Sequence, residues 1–347
     1  MVARLTVALA VIAVLLGVGA DPALAHTITG VEPTNYRSEL VTMTPRTPDL
    51  EIELLDLGRR IRLTNDTGTE ITVLGYQGED YLRVGPDGAY ENINSPTLYA
   101  NRTPAEPLPA DTDVNSDPEW RRIGAGPAVT WRDRRTRWEG PDPPAVVAAP
   151  GQRHVVSTWH IRLAREDTTT IDLVGRITWI PGPSATPWIV LTAVVAAAVA
   201  AIGWSRRWAA LLVAVLAGLT AVDVVNVSAG TARTVNSPLL VVASTVLRDP
   251  LTTIAWVAAA GGLVLLHRRE QAGVLFTGLA GWIIAAASGF TDTGVFARSQ
   301  IPTRLAPELI RSYVALTIGL GVGITVASLT VGIRKGWLPW RRLLPAR

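Results

Sequence analysis

The stretch PWIVLTAVVAAAVAAIGW, residues 187–204, carries no charged side chain over nearly the length of a bilayer crossing. A hydrocarbon core about 30 Å thick needs roughly 20 apolar residues of helix, at about 1.5 Å rise per residue. Four further stretches meet this length or come close to it: Trp208–Val227, Leu251–Leu266, Gly273–Phe290 and Ile310–Ile333. Core helices of a soluble protein are the alternative, but almost no amphipathic surface helix separates these stretches. The pattern predicts an α-helical transmembrane bundle of about five helices over residues 188–333.

The placement of arginine predicts which way this bundle faces. Basic clusters follow the first, third and fifth stretches, at Arg206-Arg207, His267-Arg268-Arg269, and Arg334, Lys335, Arg341, Arg342 and Arg347. In the opposite loops, arginines are more dispersed and are mixed with acidic residues. Cytoplasmic loops carry an excess of Arg and Lys near the helix ends. We therefore expect a multi-pass protein of the cell membrane with a cytoplasmic basic tail, residues 334–347, and an extracytoplasmic segment before Trp188.

The start of the chain predicts export by a separate signal. Residues 1–25 combine one positive charge, Arg4, an apolar run from Leu5 to Val18, and Ala23-Leu24-Ala25. This is the three-part layout of a secretory signal peptide with a small-x-small cleavage site. An uncleaved additional helix is the alternative, and it leaves the next segment in the same place. We expect an exported domain over residues 26–180 and a short linker over residues 181–187.

Composition narrows the expected chemistry and partners. There is no cysteine, so an exported domain must be stable without disulfides, and thiolate metal sites are excluded. The formal net charge of +3 comes almost wholly from arginine, with Lys335 as the only lysine. Membrane lipid is an expected partner of the bundle. Nucleic acid is not an expected partner of a domain outside the cell.

The segment from His26 to about Pro187 alternates short strand-like runs with turn residues. Arg60–Asn65 and Glu70–Tyr76 flank Asp66-Thr67-Gly68, which predicts a β-hairpin. Further strand candidates are Leu50–Leu57, Tyr81–Val84, Ala89–Asn92, Ala128–Trp131, His154–Ala164 and Thr169–Ile180. Several short strands with turn signals and no helical period predict an exported antiparallel β-sandwich.

Particular motifs in this segment resemble those of a group of actinobacterial envelope proteins. The matching residues are Gly75–Gly88, Asn92, Ser95-Pro96, Asn101-Arg102, Pro118–Arg121, and Trp131 to Trp138. The resemblance implies a signal peptide, an exported β domain and several membrane helices, and it implies no particular activity. In that group the segment between the two tryptophans is often rich in histidine. Here it reads RDRRTR, so the resemblance implies no metal site at this position.

The same segment is a dense basic patch, and it is the first candidate site. Its arginines are Arg132, Arg134, Arg135 and Arg137. Arginine forks suit phosphate and carboxylate groups. Outside a cell, the candidate ligands are lipid headgroups and anionic wall polymers. The alternative is an ordinary solvated hairpin, neutralised by Asp133 and Glu139.

A copper site at His26 is a second candidate. His26 would become the first residue after cleavage, and a terminal histidine offers an amine and an imidazole, which copper favours. Further nitrogen would have to come from His154 or His160. Six residues of straight strand span about 20 Å, so these two cannot share one ion unless the chain turns between them. The alternative is that His26 is a solvated terminus.

A third candidate is a polar cluster in the membrane. Its members are Asp223, Asn226, Arg248, Asp249, Glu308 and Arg311. An ionisable side chain inside a membrane helix usually faces the bundle interior or a water-filled cavity. We hypothesise that Asp223 pairs with Arg248 or Arg311. The cluster would be either a site for a polar ligand, proton or ion, or a structural ion pair that determines helix packing.

These features favour a binding protein over an enzyme. No Gly-rich phosphate loop, Gly-x-Ser-x-Gly elbow or paired-histidine metal helix occurs in the sequence. The first hypothesis is an integral envelope protein that displays its β domain to a partner protein or envelope polymer. The alternative is a copper-handling or small-solute transport protein, with the β domain as acceptor. The five predicted spans contain neither His nor Met, which favours the first hypothesis over copper transport. A lipid-processing membrane enzyme is a third alternative.

Overall fold

The chain folds as two units. The computed structural model describes residues 31–102, 108–109, 112–231, 250–303 and 305–337. A sheet unit contains Pro33–Gly182 and Arg298–Pro302. Among the described residues, a helical unit contains residues 31–32, Pro183–Ala297 and the chain from Thr303 onward. The expected signal peptide, residues 1–25, and His26 lie outside the described residues.

The sheet unit contains ten described strands in two antiparallel sheets. The strands are β1 Tyr36–Thr44, β2 Leu50–Leu55, β3 Arg60–Asn65, β4 Ile71–Leu74, β5 Asp80–Gly85, β6 Gly88–Asn92, β7 Trp120–Gly124, β8 Ala128–Arg132, β9 His154–Arg165 and β10 Thr170–Trp179. One sheet has the order β1-β10-β9-β4-β5-β6-β7, and the other has the order β2-β3-β8. Two short helices accompany them, α1 Pro96–Ala100 and α2 Pro144–Ala148.

One hydrophobic core joins the two sheets. Ile61 and Leu63 on β3, from the small sheet, are fully buried in the same cluster as Ile71 on β4 and Leu163 on β9, from the large sheet. Successive side chains of a strand point to opposite faces, so each strand presents alternate apolar residues to this shared core. The antiparallel β region predicted from the sequence is therefore confirmed, with the two packed layers of a β-sandwich.

The predicted hairpin between Arg60–Asn65 and Glu70–Tyr76 is wrong. β3 pairs with β2 and β8, whereas β4 pairs with β5 and β9. The turn between them crosses from one sheet to the other. The Asn65 side chain stabilises this crossing, since its amide nitrogen donates to the backbone oxygens of Thr69 and Val84, both at 2.8 Å. Both strands bury one face against the same core. The resulting period-two pattern is the same whether two strands pair in a hairpin or lie in different sheets, so the pattern does not distinguish these arrangements.

The C-terminal part is helical, as predicted. Its long helices are α3 Thr186–Ala200, α4 Trp208–Thr231, α5 Pro250–His267, α6 Gln271–Ser288 and α7 Pro307–Arg334. A 3-10 turn continues α3 to Trp204. All five are long and apolar enough to cross a membrane. Apolar side chains such as Ile189, Val194 and Val257 are exposed on the helices, as expected of surfaces that face lipid.

Helix α7 is the most buried of the five, and glycines let its neighbours approach closely. A Cβ atom on Gly319 would lie 2.9 Å from the carbonyl oxygen of Thr192 on α3. A Cβ atom on Gly281 of α6 would lie 2.8 Å from the carbonyl oxygen of Gly321 on α7. Small residues at such positions permit the close backbone contacts by which membrane helices associate. Packing on both sides therefore makes α7 the centre of the bundle.

A short segment between α6 and α7 belongs to the sheet unit. Thr34 and Gln300 exchange backbone hydrogen bonds of 3.0 and 2.8 Å. The hydroxyl of Ser299 donates to the backbone oxygen of Ile180, and its amide donates to the side-chain oxygen of Asn35, both at 2.8 Å. The loop that joins two long helices is thus hydrogen-bonded to both ends of the β domain.

Candidate functional site

The arginine-rich segment follows β8 and is held by a buried carboxylate. Asp133 begins a short 3-10 turn, Arg134–Thr136, and accepts a hydrogen bond from the backbone amide of Arg135 at 3.0 Å. The hydroxyl of buried Thr136 donates to the backbone oxygen of Gly58 at 2.7 Å. With Asp133 and Thr136 anchored in the interior, the segment is tied to the sandwich at two points.

Arg135 points inward, unlike the other arginines of the predicted patch. Its guanidinium donates to both carboxylate oxygens of Asp133, at 2.9 and 2.8 Å, and lies 4.8 Å from the centre of the Tyr76 ring. Burial lowers the pKa of Arg135, but the hydrogen bonds and charge of Asp133 outweigh burial and raise it. Arg135 is therefore a structural residue here, and the expectation that it belongs to an accessible basic patch is corrected.

The other three arginines of the patch line one cleft. Arg132, Arg134 and Arg137 surround a cavity of about 170 Å³. Arg102 and Asn101, which lie beyond the end of α1, complete the arginine cleft, together with Ala100 and Asp133. Sequence reasoning missed Arg102 as a site residue, because it lies far from the patch along the chain. The Asn101-Arg102 pair was nevertheless among the motifs that carry the resemblance.

Positive charge is concentrated at this cleft. Burial is the largest cause that lowers the pKa of Arg137, followed by the charges of Arg59, Arg134 and Arg132. Arg59, just before β3, is a second residue that sequence reasoning missed. Guanidinium groups remain protonated in proteins, so the repulsion between them is not relieved by loss of a proton. A bound anion would relieve it.

One carboxylate at the cleft contacts two of these arginines. Glu139 accepts a hydrogen bond from Nε of Arg134 at 2.9 Å through Oε2, and it pairs with Arg137 through Oε1. The Arg134 and Glu139 side chains are partly open to solvent, at 53% and 33% exposure. Solvent-exposed ion pairs contribute little to stability, roughly 0–1 kcal/mol each. The contact therefore affects the access of a ligand to the two arginines more than it affects the stability of the fold.

A hydrogen-bond network positions the far wall of the cleft. The hydroxyl of Tyr76 donates to the side-chain oxygen of Asn101 and accepts from the backbone amide of Arg134 at 3.0 Å. Burial, and then the charge of Asp133, raise the pKa of Tyr76 to about 12, so the phenol stays protonated. Tyr76 thus connects the turn after β4, the end of α1 and the arginine segment.

Glu79 holds the start of α1 in the same network. Its carboxylate accepts from the hydroxyls of Ser95 at 3.0 Å and Thr97 at 2.6 Å. Burial opposes ionisation, but the hydrogen bonds from Thr97 and Ser95 outweigh it and lower the pKa of Glu79. Glu79 and Ser95, which belong to the motifs that carry the resemblance, therefore stabilise the start of α1, and the end of α1 lines the cleft.

The structure describes only part of the polar cluster predicted in the membrane, and the cluster stays a prediction. Asp223 is buried on α4 and accepts from Nε1 of Trp256 on α5 at 2.8 Å. Arg311 is buried at the start of α7 and donates to the backbone oxygen of Val295 at 3.0 Å and to Glu308 at 3.2 Å. The described hydrogen bonds of Asp223 and Arg311 thus go to different partners. Arg248, Asp249 and the side chain of Asn226 lie outside the described residues.

No described residues assemble a metal site. Within the described ranges, no group of three or more His, Asp or Glu side chains is placed to hold an ion. His154 and His160 both lie on β9, which runs on as one strand between them, and Nε2 of His154 lies 2.8 Å from the backbone oxygen of Ala149. The copper prediction at His26 stays untested.

Comparisons with protein families, with curated proteins and with solved structures found no significant match to this chain.

Proposed function

We propose that this protein is an integral membrane protein of the cell envelope whose extracytoplasmic β domain binds an anionic group of an envelope polymer in the arginine cleft. The observation that carries the proposal is the convergence of Arg102, Arg132, Arg134 and Arg137 on one cavity. Planar guanidinium groups present paired donors that match phosphate and carboxylate oxygens.

The size of the cavity supports a single charged group as the ligand. Pockets for drug-sized molecules measure about 300–1,000 Å³. The arginine cleft, at about 170 Å³, is smaller and is open to solvent. Such a cleft suits one phosphate or carboxylate that projects from a longer chain, with the rest of the polymer outside.

The path of the chain supports the proposed orientation. Helix α3 begins soon after Gly182, and the α6–α7 loop contributes Arg298–Pro302 to the sheet unit. Both connections belong on the same side of a membrane if the five helices cross it alternately. Basic residues follow α3, α5 and α7 at the opposite ends, and cytoplasmic ends are the basic ones. The β domain therefore belongs on the extracytoplasmic side.

The proposal is tested with the full chain in nanodiscs of zwitterionic lipid. Retention is measured on dextran that carries phosphate esters or carboxymethyl groups, and on neutral dextran. We expect retention on the charged matrices only, weakening as salt rises because the interaction is electrostatic. Arg132→Gln combined with Arg137→Gln should abolish it.

The matched control is Arg62→Gln combined with Arg153→Gln. Both residues are exposed arginines of the sheet unit outside the cleft, and the change in net charge is the same. If the control pair loses retention to the same extent, or if the wild type prefers neither charged matrix, the cleft is not the binding site.

A further inference from the structure

Glu139 bridges two of the arginines that line the cavity. One carboxylate oxygen accepts from Arg134 and the other pairs with Arg137, and both arginines line the cavity. A carboxylate that bridges two guanidinium groups has the chemistry and the geometry of the proposed ligand. An incoming anion must displace it to engage these two arginines fully.

The competition is intramolecular because Glu139 is part of the same segment. It lies two residues beyond Arg137 and five beyond Arg134. A group tethered by so short a stretch of chain acts at an effective concentration on the order of millimolar or higher. A free carboxylate that replaces it gains no additional charge interaction with Arg134 and Arg137. A ligand must therefore offer more charge or more acceptor oxygens than one carboxylate group does.

We infer that Glu139 is an internal competitor that makes the arginine cleft selective for phosphate monoesters over carboxylates; this inference rests on the proposed anion-binding function. A phosphate monoester carries a charge of about −1.5 to −2 at pH 7 and three acceptor oxygens. A carboxylate carries one charge and two oxygens. The phosphate has a further oxygen for Arg132, which is not one of the two arginines that Glu139 bridges, so its binding depends less on displacing Glu139 than the binding of a carboxylate does.

The charge balance of the cleft supports this selectivity. Four arginines line the cavity, and Asp133 is already neutralised by Arg135. Arg132 is not one of the two arginines that Glu139 bridges, so positive charge remains at the cavity with Glu139 in place. A doubly charged group matches this excess better than a singly charged one.

The test compares two probes that share a phenyl ring, phenyl phosphate and benzoate. Their dissociation constants are measured by calorimetry on the full chain in zwitterionic nanodiscs at neutral pH. The wild type should bind phenyl phosphate at least tenfold more tightly than benzoate. Glu139→Gln should tighten benzoate binding roughly three- to tenfold, the scale of losing one or two exposed ion pairs, and phenyl phosphate binding less. The ratio between the two probes should therefore narrow.

Glu51→Gln is the control, because Glu51 is an exposed carboxylate on β2 outside the cleft and the change in net charge is identical. A narrowed ratio in Glu139→Gln alone supports the inference. An unchanged ratio, or the same narrowing in Glu51→Gln, overturns it while the proposed function stands. If the wild type binds neither probe, the proposed function fails and the inference fails with it.

Discussion

Asp133 holds the guanidinium of Arg135 in a two-pronged ion pair, with distances of 2.9 and 2.8 Å, on the inner side of a segment whose neighbouring arginines face a cleft. The Asp133 side chain is fully buried and that of Arg135 is 21% exposed. This pair divides four arginines of similar sequence context into one that supports the fold and three that line the cleft. It also neutralises Asp133, which lines the cleft.

Breaking this pair should destabilise the sheet unit. Asp133→Asn leaves Arg135 without its counter-charge, and we expect a loss of about 3 kcal/mol, the lower end of the range for a broken buried ion pair. Asp172→Asn is the control, because Asp172 pairs with Arg162 at 3.8 Å on the exposed surface and should cost at most about 1 kcal/mol. Thermal unfolding of the detergent-solubilised chain measures the stability of both variants. Equal losses of stability would show that the Asp133–Arg135 pair contributes no more than an exposed ion pair.

The contact between Asp223 and Trp256 should stabilise the helical unit. Trp256→Phe keeps most of the aromatic volume and removes the indole donor from a buried carboxylate, at a cost of about 1–3 kcal/mol. Trp282→Phe, on α6, provides the control for loss of an indole whose ring contacts Phe290 at 6.2 Å between centres. Resistance of the α4–α5 region to proteolysis in nanodiscs measures the effect. A loss of the same size in Trp282→Phe would contradict the assigned role.

Asp292, in the loop after α6, should make stability depend on pH. Burial raises the pKa of its carboxyl from 3.8 to about 6. Because the pKa is higher in the folded state, the Asp292 carboxyl contributes to stability when it is protonated. This contribution is fully present below pH 3.8 and is lost as the pH rises through about 6. Asp292→Asn removes that loss. The variant should therefore match the wild type near pH 4 and unfold at a higher temperature at pH 7.5.

Glu270→Gln is the matched control for this pH series, because Glu270 is exposed in the turn between α5 and α6. Its melting temperature should follow that of the wild type at both pH values. A difference between Asp292→Asn and the wild type that is independent of pH would exclude titration of Asp292 as the cause.

The absence of cysteine allows the orientation to be mapped directly. Asp117→Cys introduces a thiol at an exposed position of the sheet unit, and Glu270→Cys introduces one between α5 and α6. A membrane-impermeant maleimide should label the first in intact cells and the second only after permeabilisation. Labelling of Glu270→Cys in intact cells would reverse the proposed topology.

The long helices were predictable because their signal is local. A run such as residues 187–204 crosses a bilayer by virtue of its own length and apolarity, whatever the rest of the chain does. The structure moved the helix ends by a few residues, and the part of the chain that it describes contains the same five helices. The edge strands β1 and β7 were not predicted, because neither strand has a fully buried side chain and both therefore lack a clear alternation of buried apolar and exposed polar residues.

Strand pairing and the cleft depend on contacts between distant residues. The sequence by itself determined that strands precede five long apolar helices and that arginines crowd between Trp131 and Trp138. Only the tertiary structure decided that β3 and β4 lie in different sheets, that Arg135 turns inward, and that Arg102 joins Arg132. Hydrophobic periodicity specifies which face of a strand is buried but not which strand it pairs with. A single buried carboxylate can turn one arginine among several toward the interior, and the local sequence pattern does not indicate which arginine that is.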